Sequence, residues 1–180
     1  MLKEAVNKNN ADVGLGFDGD ADRFGCVAED GTFIPCDIYM IIMWKYLCDK
    51  VSKKECMYDV KCSKALYDEL IKVGVKPVEF RVGNSYTRKE SARGDYPLSG
   101  ELSGHIYFRD KFPGYDDGIY AGLRLVEILT NTDKSIEELL EGIPKYVSTP
   151  EIKIATEDNI KFLVIDKIRE YAEKMNYNIL

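Results

Sequence analysis

Val13-Gly14-Leu15-Gly16-Phe17-Asp18-Gly19-Asp20-Ala21-Asp22-Arg23-Phe24 is an apolar run that stops abruptly in three aspartates. Phe24 to Ala28 then resumes a strand-like run before the turn signal Glu29-Asp30-Gly31-Thr32, so the segment reads as strand, acidic loop, strand. Aspartates at every second position can turn their carboxylates toward one centre when the loop curls, and hard oxygen donors of this kind suit Mg2+. Without a cation such close like charges repel. Arg23 beside them offers a planar guanidinium fork suited to a phosphoryl oxygen. A metal site with an adjacent arginine points to phosphoryl chemistry.

Two other acidic loops bear comparison. Asp18, Asp20, Asp22 and Glu29 fall at the first, third, fifth and twelfth positions of an EF-hand loop. The sixth position, which should be Gly for the sharp turn, is Arg23, and the flanks read as strands instead of helices. A haloacid-dehalogenase-like phosphatase also carries its aspartyl nucleophile after an apolar strand, as DxDx[TV], but Asp22 stands where that pattern has Thr or Val.

Working outward, strands alternate with helices, which predicts an α/β sandwich. Asp37 is expected to cap a helix through about Lys50, and Glu55 to Val60 reads as a strand. Ser63 caps a helix with Leu66, Leu70, Ile71 and Val73 toward the core, stopped by Gly74, and a strand follows at Val78 to Val82. A helical turn after Ser85 and a short strand at Ile106 to Phe108 come next. Asp116 or Asp117 caps a helix whose Ile119, Leu123, Val126, Ile128 and Leu129 give one broad apolar face, and Ser135 with Glu138 forms a capping box. From Ser148 the texture changes: Glu151 to Ala155 reads as a strand and Asp158 to Met175 as an amphipathic helix, with a partner strand barely begun at Tyr177-Asn178-Ile179-Leu180.

Composition bounds the function. With 180 residues, 45% of them hydrophobic, the chain can bury a core for one ordinary domain or two small ones. The longest strongly apolar stretch, Ile38 to Leu47, is too short to span a bilayer and contains Lys45, and no signal pattern opens the chain, so a cytoplasmic protein is expected. A net charge of -6 argues against a general nucleic-acid binder. The five cysteines are odd in number and form no CxxC pair, so neither a secreted disulfide framework nor a tetrahedral zinc site is suggested, and they read as reduced thiols. His105 is the only histidine, so no His-rich metal site can form.

A second segment carries chemistry: Ser99-Gly100-Glu101-Leu102-Ser103-Gly104-His105. If it is extended, Glu101, Ser103 and His105 share a face, while Gly100 and Gly104 let a ligand or backbone approach closely. Carboxylate, hydroxyl and imidazole make a set that reads hydroxyls and phosphates. A polar hairpin with a partly satisfied histidine is the bland alternative.

The two loops together carry a resemblance. Asp18-Gly19-Asp20-Ala21-Asp22-Arg23 is similar to the DGD[GA]DR metal loop of the α-D-phosphohexomutases, and Ser-Gly-Glu-Leu-Ser-Gly-His to their [GS]GExSGH sugar loop, in the expected order. The likeness extends through Asp59-Val60-Lys61-Cys62-Ser63, Val82-Gly83-Asn84-Ser85, Phe112-Pro113-Gly114-Tyr115-Asp116-Asp117-Gly118-Ile119 and Ser148-Thr149-Pro150-Glu151-Ile152, which points to the phosphomannomutase/phosphoglucomutase branch. Asn84 falls where the bacterial bifunctional enzymes carry His.

The resemblance implies a mixed β-sheet sandwiched between helices, like the third domain of a phosphohexomutase, flanked by partial neighbouring domains. Residues 1–35 would be the end of metal-binding domain two, 36–145 sugar-binding domain three, and 146–180 the start of domain four. It implies Asp18, Asp20 and Asp22 as Mg2+ ligands, and Arg23, Lys61, Glu101, Ser103 and His105 on the substrate side. Family members interconvert hexose 1- and 6-phosphates of mannose or glucose through a phosphoserine and a bisphosphate intermediate. No SHNP-like serine loop occurs here, so no catalytic residue is assigned and these 180 residues are expected to be inactive alone, as a piece needing the missing domains of the same enzyme. A non-catalytic metal- and sugar-phosphate-binding module, or a phosphatase with Asp18 as nucleophile, stays open.

Overall fold

The acidic loop joins two strands that pair with each other. In the computed structural model, which describes residues 1–177 and 179, α1 (Leu2–Asn9) leads into β1 (Val13–Phe17). β1 pairs antiparallel with β2 (Phe24–Ala28), from Val13 opposite Ala28 to Phe17 opposite Phe24, and β3 (Phe33–Ile34) adds to the far side of β2. The loop therefore sits at the closed end of a hairpin whose register fixes both of its ends.

A second, four-stranded sheet follows in the order β5-β4-β6-β7, made of β4 (Glu55–Asp59), β5 (Lys76–Phe80), β6 (Leu98–Gly100) and β7 (Ile106–Phe108). β4 is parallel to both β5 and β6, and β7 closes antiparallel on β6. The chain leaves β4 through α3 (Lys64–Lys72) to reach β5 on one side, and returns through α4 (Asn84–Gly94) to β6 on the other. This reversal opens a crevice beyond the carboxyl ends of the parallel strands, the usual ligand position in an open α/β sheet. Lys61, Asn84 and Glu101 each follow one of those ends.

α2 (Cys36–Leu47) is the central core helix: Tyr39, Met40, Ile41, Ile42, Met43, Trp44 and Leu47 are all buried. Its N-cap is Pro35, and Asp37 lies inside the first turn instead of capping it. Proline is at home at a helix start because its missing N–H would find no partner there. Asp37 is freed to accept the amides of Ile38 and Ser63, each at 2.9 Å, which ties the helix to the loop after β4.

α5 (Gly118–Thr132) is capped by Asp117, which accepts the Tyr120 amide at 2.8 Å. Its buried face differs from the expected one: Gly118, Ala121, Gly122, Leu125 and Ile128 face inward, whereas Ile119 and Leu123 are more than half exposed. The small residues permit close approach, with the position of a Gly122 Cβ 3.0 Å from Leu15 and the Ala121 carbonyl 2.8 Å from the Tyr39 hydroxyl. Ile71 of α3 is likewise exposed, while Leu66 and Leu70 are buried. The helical turn expected after Ser85 is the eleven-residue α4. The capping box of Ser135 and Glu138 opens α6 (Ile136–Leu140) as expected.

Residues 1–146 form one compact unit and 147–180 another. In the second, α7 (Lys161–Lys174) forms but buries no residue, and Glu151 to Ala155 is not a strand. A strand needs a neighbour for its N–H and C=O groups, and none pairs here among the described residues. The strand start expected at Tyr177-Asn178-Ile179-Leu180 lies partly outside the described residues, at Asn178 and Leu180. Among the described residues no helix is long and apolar enough to cross a membrane.

Candidate functional site

The hairpin loop curls as the sequence requires. Ala21 adopts a left-handed φ of 59°, and the carboxylates of Asp18, Asp20 and Asp22 each bring an oxygen within 4.8 Å of the others. These oxygens are the donors that a hard divalent ion prefers, so the residues fit Mg2+. Arg23 faces the same charges: its Nε donates to Asp18 Oδ2 at 2.6 Å, its amide to Asp18 Oδ1 at 3.2 Å, and Asp22 Oδ1 lies 3.8 Å away. Partial burial pushes the Asp18 carboxyl up, but the bonds from Arg23 outweigh it and hold the group below the usual carboxylate range. Asp22 lies above that range because of burial, with Asp20, Asp18 and Asp116 adding repulsion that His105 partly offsets. Arg23 thus favours the ionised form of Asp18.

The polar loop is a turn and not an extended segment. The Gly104 amide donates to the Glu101 carbonyl at 3.1 Å, and Gly104 takes a φ of 111° that favours glycine. Glu101 and Ser103 consequently meet across the turn, while His105 points elsewhere. Glu101 is 2% exposed, and its Oε1 accepts the Thr87 hydroxyl at 2.5 Å and the Gly83 amide at 3.2 Å at the start of α4. Its Oε2 accepts the hydroxyl of exposed Ser103 at 3.1 Å. His105 turns toward Asp116, with Nδ1 2.9 Å from Asp116 Oδ2 and 3.6 Å from Asp22 Oδ2.

The two loops meet. Arg23 and His105 form an antiparallel bridge, the Phe24 amide donates to the Gly104 carbonyl at 3.2 Å, and the Gly118 amide to the Ala21 carbonyl at 2.8 Å. Asp18, Arg23 and Ser103 line one open depression with Phe17 and Phe33. Lys61 is exposed in the turn after β4, its amide held by Asp59 Oδ1 at 3.0 Å.

Three contributors were not assigned from the sequence. Asp59 is buried at the end of β4 and accepts the Lys61 amide, the Cys62 thiol at 3.5 Å and the Leu102 amide at 3.3 Å, so it links the lysine turn to the polar loop. Burial pushes its carboxyl up despite these bonds from Cys62 and Lys61. Asp116, read only as a helix cap, is the partner of His105, and Asn84 joins them. An aspartate ending an apolar strand was the available signal for Asp59; nothing local marked the Asn84 contacts, which span more than twenty residues. Three of the thiols, Cys26, Cys36 and Cys56, are buried, and burial pushes each up to about 12.

Known proteins share the fold described above. The family model for phosphoglucomutase/phosphomannomutase, alpha/beta/alpha domain III, matches residues 35–146. The chain is 36% identical over 181 residues to the phosphomannomutase/phosphoglucomutase of Pseudomonas aeruginosa, covering 99% of this chain and 39% of that protein. It is 34% identical over 168 residues to the phosphomannomutase of Methanocaldococcus jannaschii, covering 93% of this chain and 36% of the relative. A solved structure of a phosphoglucomutase/phosphomannomutase family protein from Burkholderia thailandensis matches with a TM-score of 0.82 at 35% identity, over 93% of this chain and 35% of the other. The chain therefore spans well under half the length of these relatives.

Proposed function

Since the chain belongs to the phosphoglucomutase/phosphomannomutase family, we propose that it serves a mutase interconverting the 1- and 6-phosphates of mannose or glucose. The observation that carries this reading is the meeting of the acidic and polar loops, with Asp22 Oδ2 3.6 Å from His105 Nδ1. In this reading residues 1–35 belong to a metal-binding domain, 36–145 to a sugar-binding domain and 146–180 to the next domain of a cytoplasmic enzyme.

Asp18, Asp20 and Asp22 would hold Mg2+, which supplies charge neutralisation for a transferring phosphoryl group. Arg23, fixed by Asp18, adds a guanidinium to the same place. Glu101 keeps one carboxylate oxygen on α4 and turns the other toward Ser103, where a hexose hydroxyl could donate in place of the serine. His105 and Lys61 complete the substrate side. The phosphoserine that donates to the hexose phosphate and recovers a phosphoryl group from the bisphosphate is supplied by other domains of the same enzyme. Phosphoryl transfer depends on positioning donor, metal and acceptor together.

The test is a coupled assay of the 180-residue protein with Mg2+, glucose 1,6-bisphosphate and either hexose 1-phosphate, run beside calorimetry with the same sugars. Binding without turnover is expected. Turnover abolished by Asp20→Asn would overturn the external donor, and an absence of binding would overturn the substrate reading.

A further inference from the structure

Asn84 opens α4 with its amide turned inward. Its Oδ1 accepts the Tyr107 hydroxyl at 2.9 Å, which leaves Nδ2 to donate to Asp116 Oδ2, also at 2.9 Å. The reverse orientation would set two oxygens against each other at Asp116, whereas the Tyr107 hydroxyl can serve either end of the amide. The same Asp116 oxygen lies 2.9 Å from His105 Nδ1. Asn84 Nδ2 and His105 Nδ1 are 3.3 Å apart, the spacing of two donors converging on one acceptor.

Among the described residues the polar contacts of the ring lie at Nδ1: Asp116, Asn84 and, at 3.6 Å, Asp22. The nearest of these, Asp116, is a carboxylate, which only accepts when ionised, so a lone pair on Nδ1 would be repelled and a proton there is held. The side chains of Asp116 and His105 are 8% and 11% exposed, which leaves water little access to the shared oxygen. Asp116 is itself held at that oxygen by Asn84, and Asn84 by Tyr107, a fully buried residue of β7.

We propose that Tyr107, Asn84 and Asp116 form a positioning chain that holds neutral His105 as its Nδ1–H tautomer and keeps the Nε2 lone pair for the ligand. The group met at Nε2 is then a hydrogen-bond donor such as a sugar hydroxyl, and not a bare phosphate oxygen. Asn84 acts inward through Asp116 and makes no substrate contact of its own. The idea rests on the sugar-phosphate reading only for the identity of that ligand.

Because His105 is the only histidine of these 180 residues, the 180-residue chain labelled at histidine nitrogen gives one pair of ring signals. Heteronuclear NMR, at a pH where the ring is neutral and without added metal, is expected to show a protonated Nδ1 and a pyridine-like Nε2. An unrestrained imidazole in water favours the opposite form. Asp116→Ala should move the proton wholly or partly to Nε2, and Asn84→Ala or Tyr107→Phe should give a mixture of the two forms. An Nε2–H pattern in the unmodified protein overturns the chain even if no variant folds, and so does an Asp116→Ala spectrum identical to it. Failure of hexose-phosphate binding while Nδ1–H persists would fall on the substrate reading and would still support the chain.

Discussion

Glu101 carries two loads at once. One oxygen holds the start of α4 through Gly83 and Thr87, where a helix N-terminus favours negative charge, and the other faces Ser103. Glu101→Ala leaves the buried Thr87 hydroxyl and the Gly83 amide without that acceptor, so it should destabilise the protein by about 1–3 kcal/mol in urea unfolding. Glu101→Gln keeps an oxygen for α4 and presents an amide to Ser103, which can accept, so most of the stability should return. An Ala variant as stable as the parent would mean that the residue serves the ligand alone. The residue types of this loop were legible in the sequence because Glu, Ser and His between glycines are a recognisable set. Their directions were not, because a turn closed by Gly104 replaces the extended segment that alternation assumes. The Asn84–Asp116–His105 contacts were also hidden, since they depend on how β6, β7 and α4 come together.

At the scale of elements, α5 joins the two loops. A Cβ on Gly118 would lie 2.6 Å from the Arg23 carbonyl oxygen and 2.9 Å from that of Ala21, both backbone atoms that cannot swing aside. Gly118→Ala should therefore push α5 from the acidic loop, costing about 1–3 kcal/mol in thermal or urea unfolding and weakening Mg2+ binding in the same sample. A variant with unchanged stability and metal binding would show that the loop does not depend on this contact. The helix itself was readable from Asp117 and its periodicity, and the capping box at Ser135 likewise. Its buried face was misread because hydrophobicity alone favours Ile119 and Leu123 over Gly118, Ala121 and Gly122, whereas close packing on β1 and β2 selects the small residues. Arg124 shows the same limit: a charged residue of α5 is buried because Asp110 meets it with two bonds of 2.9 and 2.8 Å.

At the scale of the whole molecule, an antiparallel hairpin and a mixed sheet are brought together by α2 and α5 so that the loop of one meets the crevice of the other. The alternation of strands and helices made the α/β class legible, and the two motifs implied one site; only the folded chain shows which atoms meet. Paramagnetic Mn2+ used in place of Mg2+ tests that meeting most directly, read at the ring signals of the single histidine. The account predicts that low Mn2+ broadens the His105 ring selectively, that Mg2+ reverses the effect, and that combining Asp18→Asn, Asp20→Asn and Asp22→Asn abolishes it. Ring signals untouched by Mn2+, or broadened equally in the triple variant, would contradict a shared metal and substrate site.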